Sequence, residues 1–161
     1  MNNGFYFEEA IDVIEEILAS GGTVRIYPRG TSMLPLIVEG RDSVELKAYD
    51  REPQKRDIAF YRRKNGQFVL HRIVKTGKDG SFVMCGDNQT AFEKGIENHQ
   101  IIAFVEKIYR KDKPIENGDV RYRIYLFFWC FMPYRYVVLF WKRCIGKLRR
   151  IFKKMFKKTV D

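Results

Sequence analysis

From residue 23 to residue 109 the chain is a succession of short alternating stretches separated by turn residues about every eight to twelve positions, and no other feature constrains its fold as much. These stretches have the period of half-buried strands, and all but the last are too short for an ordinary helix. Residues 23–28 (TVRIYP) alternate polar and apolar side chains, and 44–48, 57–63, 68–75, 81–85 and 99–109 follow suit. Lys64, Asn65 and Gly66 supply a hairpin turn between two of them. The expectation is a mainly β fold, with one small coiled β-domain over residues 23–111.

Two flanking segments have a different period. Ala10, Ile11, Ile14, Ile17 and Leu18 recur at helical spacing, with Glu8, Glu9, Asp12, Glu15 and Glu16 on or beside the other face, and Gly21 and Gly22 close the pattern. Residues 1–22 therefore read as an acidic amphipathic helix. Its carboxylates bar it from hydrocarbon, so it is expected to pack on the domain. Nothing in this stretch has the basic start and apolar core of a signal peptide.

Residues 112–120 are polar, broken by Pro114 and Gly118, and read as a linker. Residues 121–161 then form an aromatic and basic segment. Its apolar run from Tyr122 to Trp141 is interrupted by Pro133 and Arg135, which leaves no clean run of eighteen residues and fits a bent, shallow or re-entrant segment as well as a single span. Beyond it, Cys144, Leu148, Ile151, Phe152, Met155 and Phe156 share one helical face, while Lys147, Arg149, Arg150, Lys153, Lys154, Lys157 and Lys158 cover the rest. That is the pattern of an interfacial helix.

Charge points the same way. The formal net charge is +10, yet 12 of the 30 Lys and Arg and only one of the 20 Asp and Glu lie after residue 120. The body is near neutral, and the expected partner of residues 121–158 is an anionic membrane surface on the cytoplasmic face. Nucleic acid is not expected, because phosphate would repel the acidic first helix. The three cysteines and two histidines form neither a zinc pattern nor a disulfide framework, so no metal and no cofactor is expected, and the cysteines are expected reduced.

Within the β-domain, GTSMLP at residues 30–35 holds Ser32 between a glycine and a proline. A hydroxyl at such a turn, followed by inward-pointing amides, suits a nucleophile beside an anion site. The same serine also suits a plain turn cap. His71 follows in HRIV and Asp87 in CGDN, so a nucleophile, a base and an acid occur in order. Alone, His71 also reads as a core-edge histidine and Asp87 as a turn carboxylate capping its own backbone. Arg72 points away from His71 on its strand, toward surface acids, and Cys85 reads as core.

The ordered blocks GTSMLPLI, EGRDSVEL, RDIAFYRR, FVLHRIVK, CGDNQ and IIAFVEKI, spanning about residues 23–110, resemble signal peptidase I. The likeness is to its archaeal and ER-type branch, in which a histidine replaces the lysine base. The resemblance implies a serine endopeptidase that cleaves a leader or signal-like peptide, with Ser32 as nucleophile, His71 as general base and Asp87 as orienting acid. Glu93, six residues beyond Asp87, is the alternative acid. The substrate would be an extended peptide with small residues beside the scissile bond, with Met33 and Pro35 as candidate pocket residues. Many members carry a serine two positions before the nucleophile as a second oxyanion donor, whereas Gly30 stands there here, leaving the Ser32 amide and the Thr31 hydroxyl. Asp42 and Asp57 match structural acids. The other readings are a non-catalytic peptide-binding or regulatory module of the same fold, and a LexA-type self-cleaving regulator.

Overall fold

The computed structural model describes residues 5–49, 51–115, 119–129 and 132–157. The expected break at Gly118 and the base Lys158 lie outside the described residues, as do the side chains of Glu8, Glu9 and residues 151–157. The chain begins with α1 (Phe5–Ala19), then β1 (Thr23–Ile26), β2 (Asp42–Lys47), β3 (Ile58–Arg62), β4 (Phe68–Thr76), β5 (Phe82–Cys85), β6 (Glu93–Ile96), β7 (Ile101–Arg110) and β8 (Lys113–Ile115). Two further helices close it, α2 (Val120–Trp129) and α3 (Met132–Lys157). The fold is mainly β.

The strands form one antiparallel sheet in the order β1-β2-β7-β3-β4-β5-β6, with β8 added to β7. Both faces are covered, which is why the burial of β3 is continuous from Ile58 to Tyr61. On one face Val44, Leu46, Ile58, Phe60, Leu70, Ala103 and Ile108 pack with Ile11 and Leu18 of α1 and with Met33, Leu36 and Ile37. On the other, Ala59, Tyr61, Ile73, Phe82, Met84 and Ile96 form a second cluster. Adjacent strand residues face opposite ways, so β3 feeds both cores.

α1 lies within the expected segment 1–22, and the chain turns after it where the Gly22 amide donates to the Ile17 carbonyl at 2.9 Å. Ile11 and Leu18 are buried, and Asp12, Glu15 and Glu16 face solvent. The segment after Ser32 is a turn in which the Ile37 amide donates to the Met33 carbonyl at 3.0 Å, and its Leu34–Pro35 peptide is cis. Met33, Leu36 and Ile37 anchor this turn in the first core, which fixes the backbone that carries Ser32.

Two strands fall where none was expected. β6 carries Glu93, Lys94 and Gly95 and has no apolar alternation. β8 occupies part of the expected 112–120 linker. Lys111 and Asp112 both take positive φ, 50° and 64°, the conformation of a two-residue hairpin turn without its usual Asn-Gly signature. Pro114 is tolerated because β8 pairs only with β7.

Among the described residues no single helix is long and apolar enough to cross a membrane; α2 and α3, bent by 89°, meet the length and composition requirement as a pair. Parts of both return to the domain. Tyr122 and Tyr125 pack against the first core, and Arg135 and Leu139 are buried. Phe127, Phe128, Val137, Phe140, Trp141, Ile145 and Leu148 remain exposed.

Candidate active site

The serine turn and β4 meet across a cleft of about 220 Å³. Ser32, Met33 and residues 28–30 line one side, and residues 67–71 the other, with Arg63 and Gln89 completing it. Ser32 and His71 thus share one cavity. Among the described residues they are joined by no direct hydrogen bond, and such contacts commonly tighten only when substrate binds. Gly30 opens the turn at φ 92°, a conformation glycine takes without strain, and its amide donates to Glu39 Oε2 at 2.9 Å.

His71 is 1% exposed, opposite Ala59 in the β3–β4 ladder. Its Nδ1 lies 3.1 Å from Glu93 Oε1 and 3.2 Å from the Tyr61 hydroxyl. Tyr61 donates to Glu93 Oε2 at 2.9 Å, and Arg63 donates from Nε to the same oxygen at 2.7 Å and from Nη2 to Oε1. With Tyr61 and Arg63 both donating to the carboxylate, Nδ1 fits as the protonated nitrogen, leaving Nε2 as the proton acceptor. This tautomer is the one a general base requires.

The charge states agree. Burial lowers the His71 pKa below its ordinary value, and the Arg63 guanidinium adds to that, while Glu93 and Asp87 oppose it. His71 is therefore neutral at pH 7. Burial pushes the Glu93 carboxyl up, but hydrogen bonds from Arg63 and Tyr61 outweigh it and hold it below the usual range, so it is ionised. Burial and the neighbouring Glu93 push Tyr61 upward, keeping it a donor.

Among the described residues Asp87 makes no hydrogen bond to His71. It is fully buried and accepts from Arg72 Nε at 2.8 Å and Nη2 at 2.7 Å. Arg72 follows His71 on β4 and so points to the opposite face, and its planar fork takes both carboxylate oxygens. The expectation that Arg72 pairs with surface acids is corrected by the same pair, since Arg72 is only 1% exposed. Glu93 reaches Nδ1 because β6 lies beyond β5 on the sheet and directs its first residue back over β4.

Two other expectations are corrected. Thr31 is exposed and does not line the cleft, whereas Ser32 beside it does. Pro35 is likewise exposed and outside the lining, whereas Met33 is buried and does line it. Asp42 accepts from Arg41 and from the Val38 amide, and Asp57 from Arg51 and the Gln54 amide, so both anchor loops. Cys85 is buried, and burial raises its thiol pKa, which suits core packing and not nucleophilic attack.

No protein-family model, curated protein or solved structure matches the chain.

Sequence reasoning missed Gln89. A methyl placed on Gly86 would lie 2.7 Å from the Ser32 carbonyl oxygen and 3.0 Å from Gln89 Oε1, so the carboxamide lies beside the serine turn. It also lines the cleft, where its amide can donate to developing negative charge. Tyr61 and Arg63 were missed as well. The period-two spacing of Tyr61 on β3 and Arg63 just past its end would have placed them on one face, but nothing in the sequence ties that face to Glu93.

Proposed function

We propose that the chain is a serine endopeptidase of the signal peptidase type, with the coiled β-domain of that family, working at an anionic membrane surface. The observation that carries this reading is the common cleft of Ser32 and His71, with the Nδ1 edge of His71 held by an ionised Glu93. In the reaction, Ser32 Oγ attacks the scissile carbonyl carbon while its proton passes to His71 Nε2, and Glu93 stabilises the imidazolium. The Ser32 amide and the Gln89 carboxamide support the oxyanion. His71 returns the proton to the leaving amine, and a water activated in the same way releases the acyl group.

The cleft's size favours a substrate with small side chains beside the scissile bond. Residues 28–30 of its wall follow β1, the terminal strand of the sheet path, beside which an extended leader or signal-like peptide adds as another strand. The exposed aromatic residues of α2 and α3, with the cationic surplus after residue 120, supply the membrane contact and its cytoplasmic-face orientation.

The test is incubation of the full chain, on vesicles containing phosphatidylglycerol, with peptides carrying small residues at the cut, followed by mass analysis of products. Cleavage by the wild type, abolished in Ser32→Ala and His71→Ala, is expected. Products that persist in both variants exclude this site. The lack of a direct Ser32–His71 hydrogen bond favours, as second reading, a peptide-binding module without chemistry; peptide bound and recovered intact would establish it.

A further inference from the structure

The loop of residues 86–89 is gripped from two sides. Toward the cleft, the Asn88 amide donates to the Ser32 carbonyl at 2.7 Å, and the absence of a side chain at Gly86 lets the loop approach that carbonyl. Away from the cleft, the C-terminal helices hold it. The Tyr125 hydroxyl donates to Asp87 Oδ2 at 2.6 Å, and the Trp129 indole N–H donates to the Asp87 carbonyl at 2.9 Å. Arg135, 1% exposed, brings Nη1 to 3.5 Å from the Gly86 carbonyl and Nη2 to 3.3 Å from Cys85 Sγ. Tyr136 donates to the Thr90 carbonyl at 3.1 Å. Asp87 is also paired with Arg135, Nη1 to Oδ1 at 3.9 Å, and with Arg72, the residue next to His71.

A membrane tether needs none of these contacts. An amphipathic helix binds lipid through its own exposed face, and a buried arginine with two hydrogen-bonded aromatic rings adds nothing to that. Buried polar groups with defined partners fix one geometry of the chain around them.

We propose that Tyr125, Trp129 and Arg135 are positioning residues of the hydrolytic site, holding Ser32 in place through Asp87 and Asn88, so that α2 and α3 belong to the catalytic unit. This rests on the hydrolase reading above. The backbone of Ser32 is fixed by Met33 and its neighbours on one side and by Asn88 on the other, and Asn88 is no better placed than the loop that carries it. Misplacement of a reacting group by about 1 Å lowers rates by about 100-fold.

The experiment compares the full chain with Tyr125→Phe and Trp129→Phe, which keep a ring in each position and remove one hydrogen-bond donor apiece. Hydrogen exchange of the Asn88 amide reports the clasp without any chemistry, and the rate constant for Ser32 labelling by a fluorophosphonate reports its catalytic effect. The labelling rate at full final extent separates misplacement from unfolding, which would reduce the extent. Faster Asn88 exchange together with labelling slowed about tenfold or more is expected. Unchanged Asn88 exchange overturns the clasp, and faster exchange with wild-type labelling overturns its positioning role. A wild type that does not label at all ends the hydrolase reading, and Asn88 exchange then decides the clasp alone.

Discussion

Replacing Glu93 by Gln removes the charge that faces the imidazolium while leaving an oxygen able to accept from Nδ1. The Nδ1–Oε1 distance is 3.1 Å, and the Glu93 side chain is 25% exposed. Two unit charges about 4 Å apart at an effective dielectric near 20 attract by about 4 kcal/mol. Partial exposure and the share of the carboxylate taken by Arg63 reduce this to roughly half, about 2 kcal/mol, or about 30-fold in the rate of a step that protonates His71. The variant also leaves the Arg63 guanidinium beside the imidazolium with no anion between them. The assay is the second-order rate of fluorophosphonate labelling across pH. The expected result is a rate about 30-fold lower at pH 7, with the acid limb displaced to lower pH, because Glu93 raises the His71 pKa and its loss lowers it. A Glu93→Gln protein that labels at the wild-type rate with an unmoved limb refutes the assignment, as does a displacement from Asp87→Asn larger than that from Glu93→Gln, because Glu93 is the stronger of the two carboxylates acting on His71.

Asp87→Ala leaves the Arg72 guanidinium buried without its carboxylate and should destabilise the fold by about 3–5 kcal/mol in urea titrations, whereas a loss below about 1 kcal/mol would show the pair is dispensable. Because folding lowers the His71 pKa, the unfolded chain binds more protons between the folded value and the ordinary value of 6.5. Stability from this group is complete above that window and falls as pH drops through it, so wild type should lose more stability than His71→Gln on acidification from neutral pH; equal losses would contradict the buried neutral imidazole. Gln89→Ala should lower turnover about 10²- to 10³-fold with little change in KM, and an unchanged turnover would remove Gln89 from the oxyanion site. Lys142→Glu and Lys147→Glu should each weaken sedimentation with phosphatidylglycerol vesicles several-fold at low salt, at about 1 kcal/mol per basic residue removed, and unchanged binding would place the contact elsewhere.

The strands that bury apolar residues on a regular period were legible, from β1 to β5 and in β7, and so was the helix α1. β6 and β8 were not, because neither carries a hydrophobic repeat: one is held by its place at the sheet edge, the other by a turn of two non-glycine residues at positive φ. That Ser32 and His71 are candidates was readable because a serine turn and a histidine inside an apolar strand are local signals, and the two do line one cleft. The choice between Asp87 and Glu93 was not local. It depends on which face of β4 each acid reaches, and hence on Arg72 claiming Asp87 first. Arg135 read as an interruption of an apolar run, yet its burial makes it a docking residue. A lone arginine among aromatic residues is the signal that, weighed against a buried carboxylate elsewhere in the chain, would have suggested it.

The central claim is that the Ser32 hydroxyl is activated by His71 across their shared cleft. Treating the full chain with a fluorophosphonate and mapping the adduct by mass tests it most directly. A single adduct on Ser32, absent in Ser32→Ala and strongly slowed in His71→Ala and at acidic pH, is the predicted result. No adduct, or an adduct on another residue that forms equally well in His71→Ala, would contradict it.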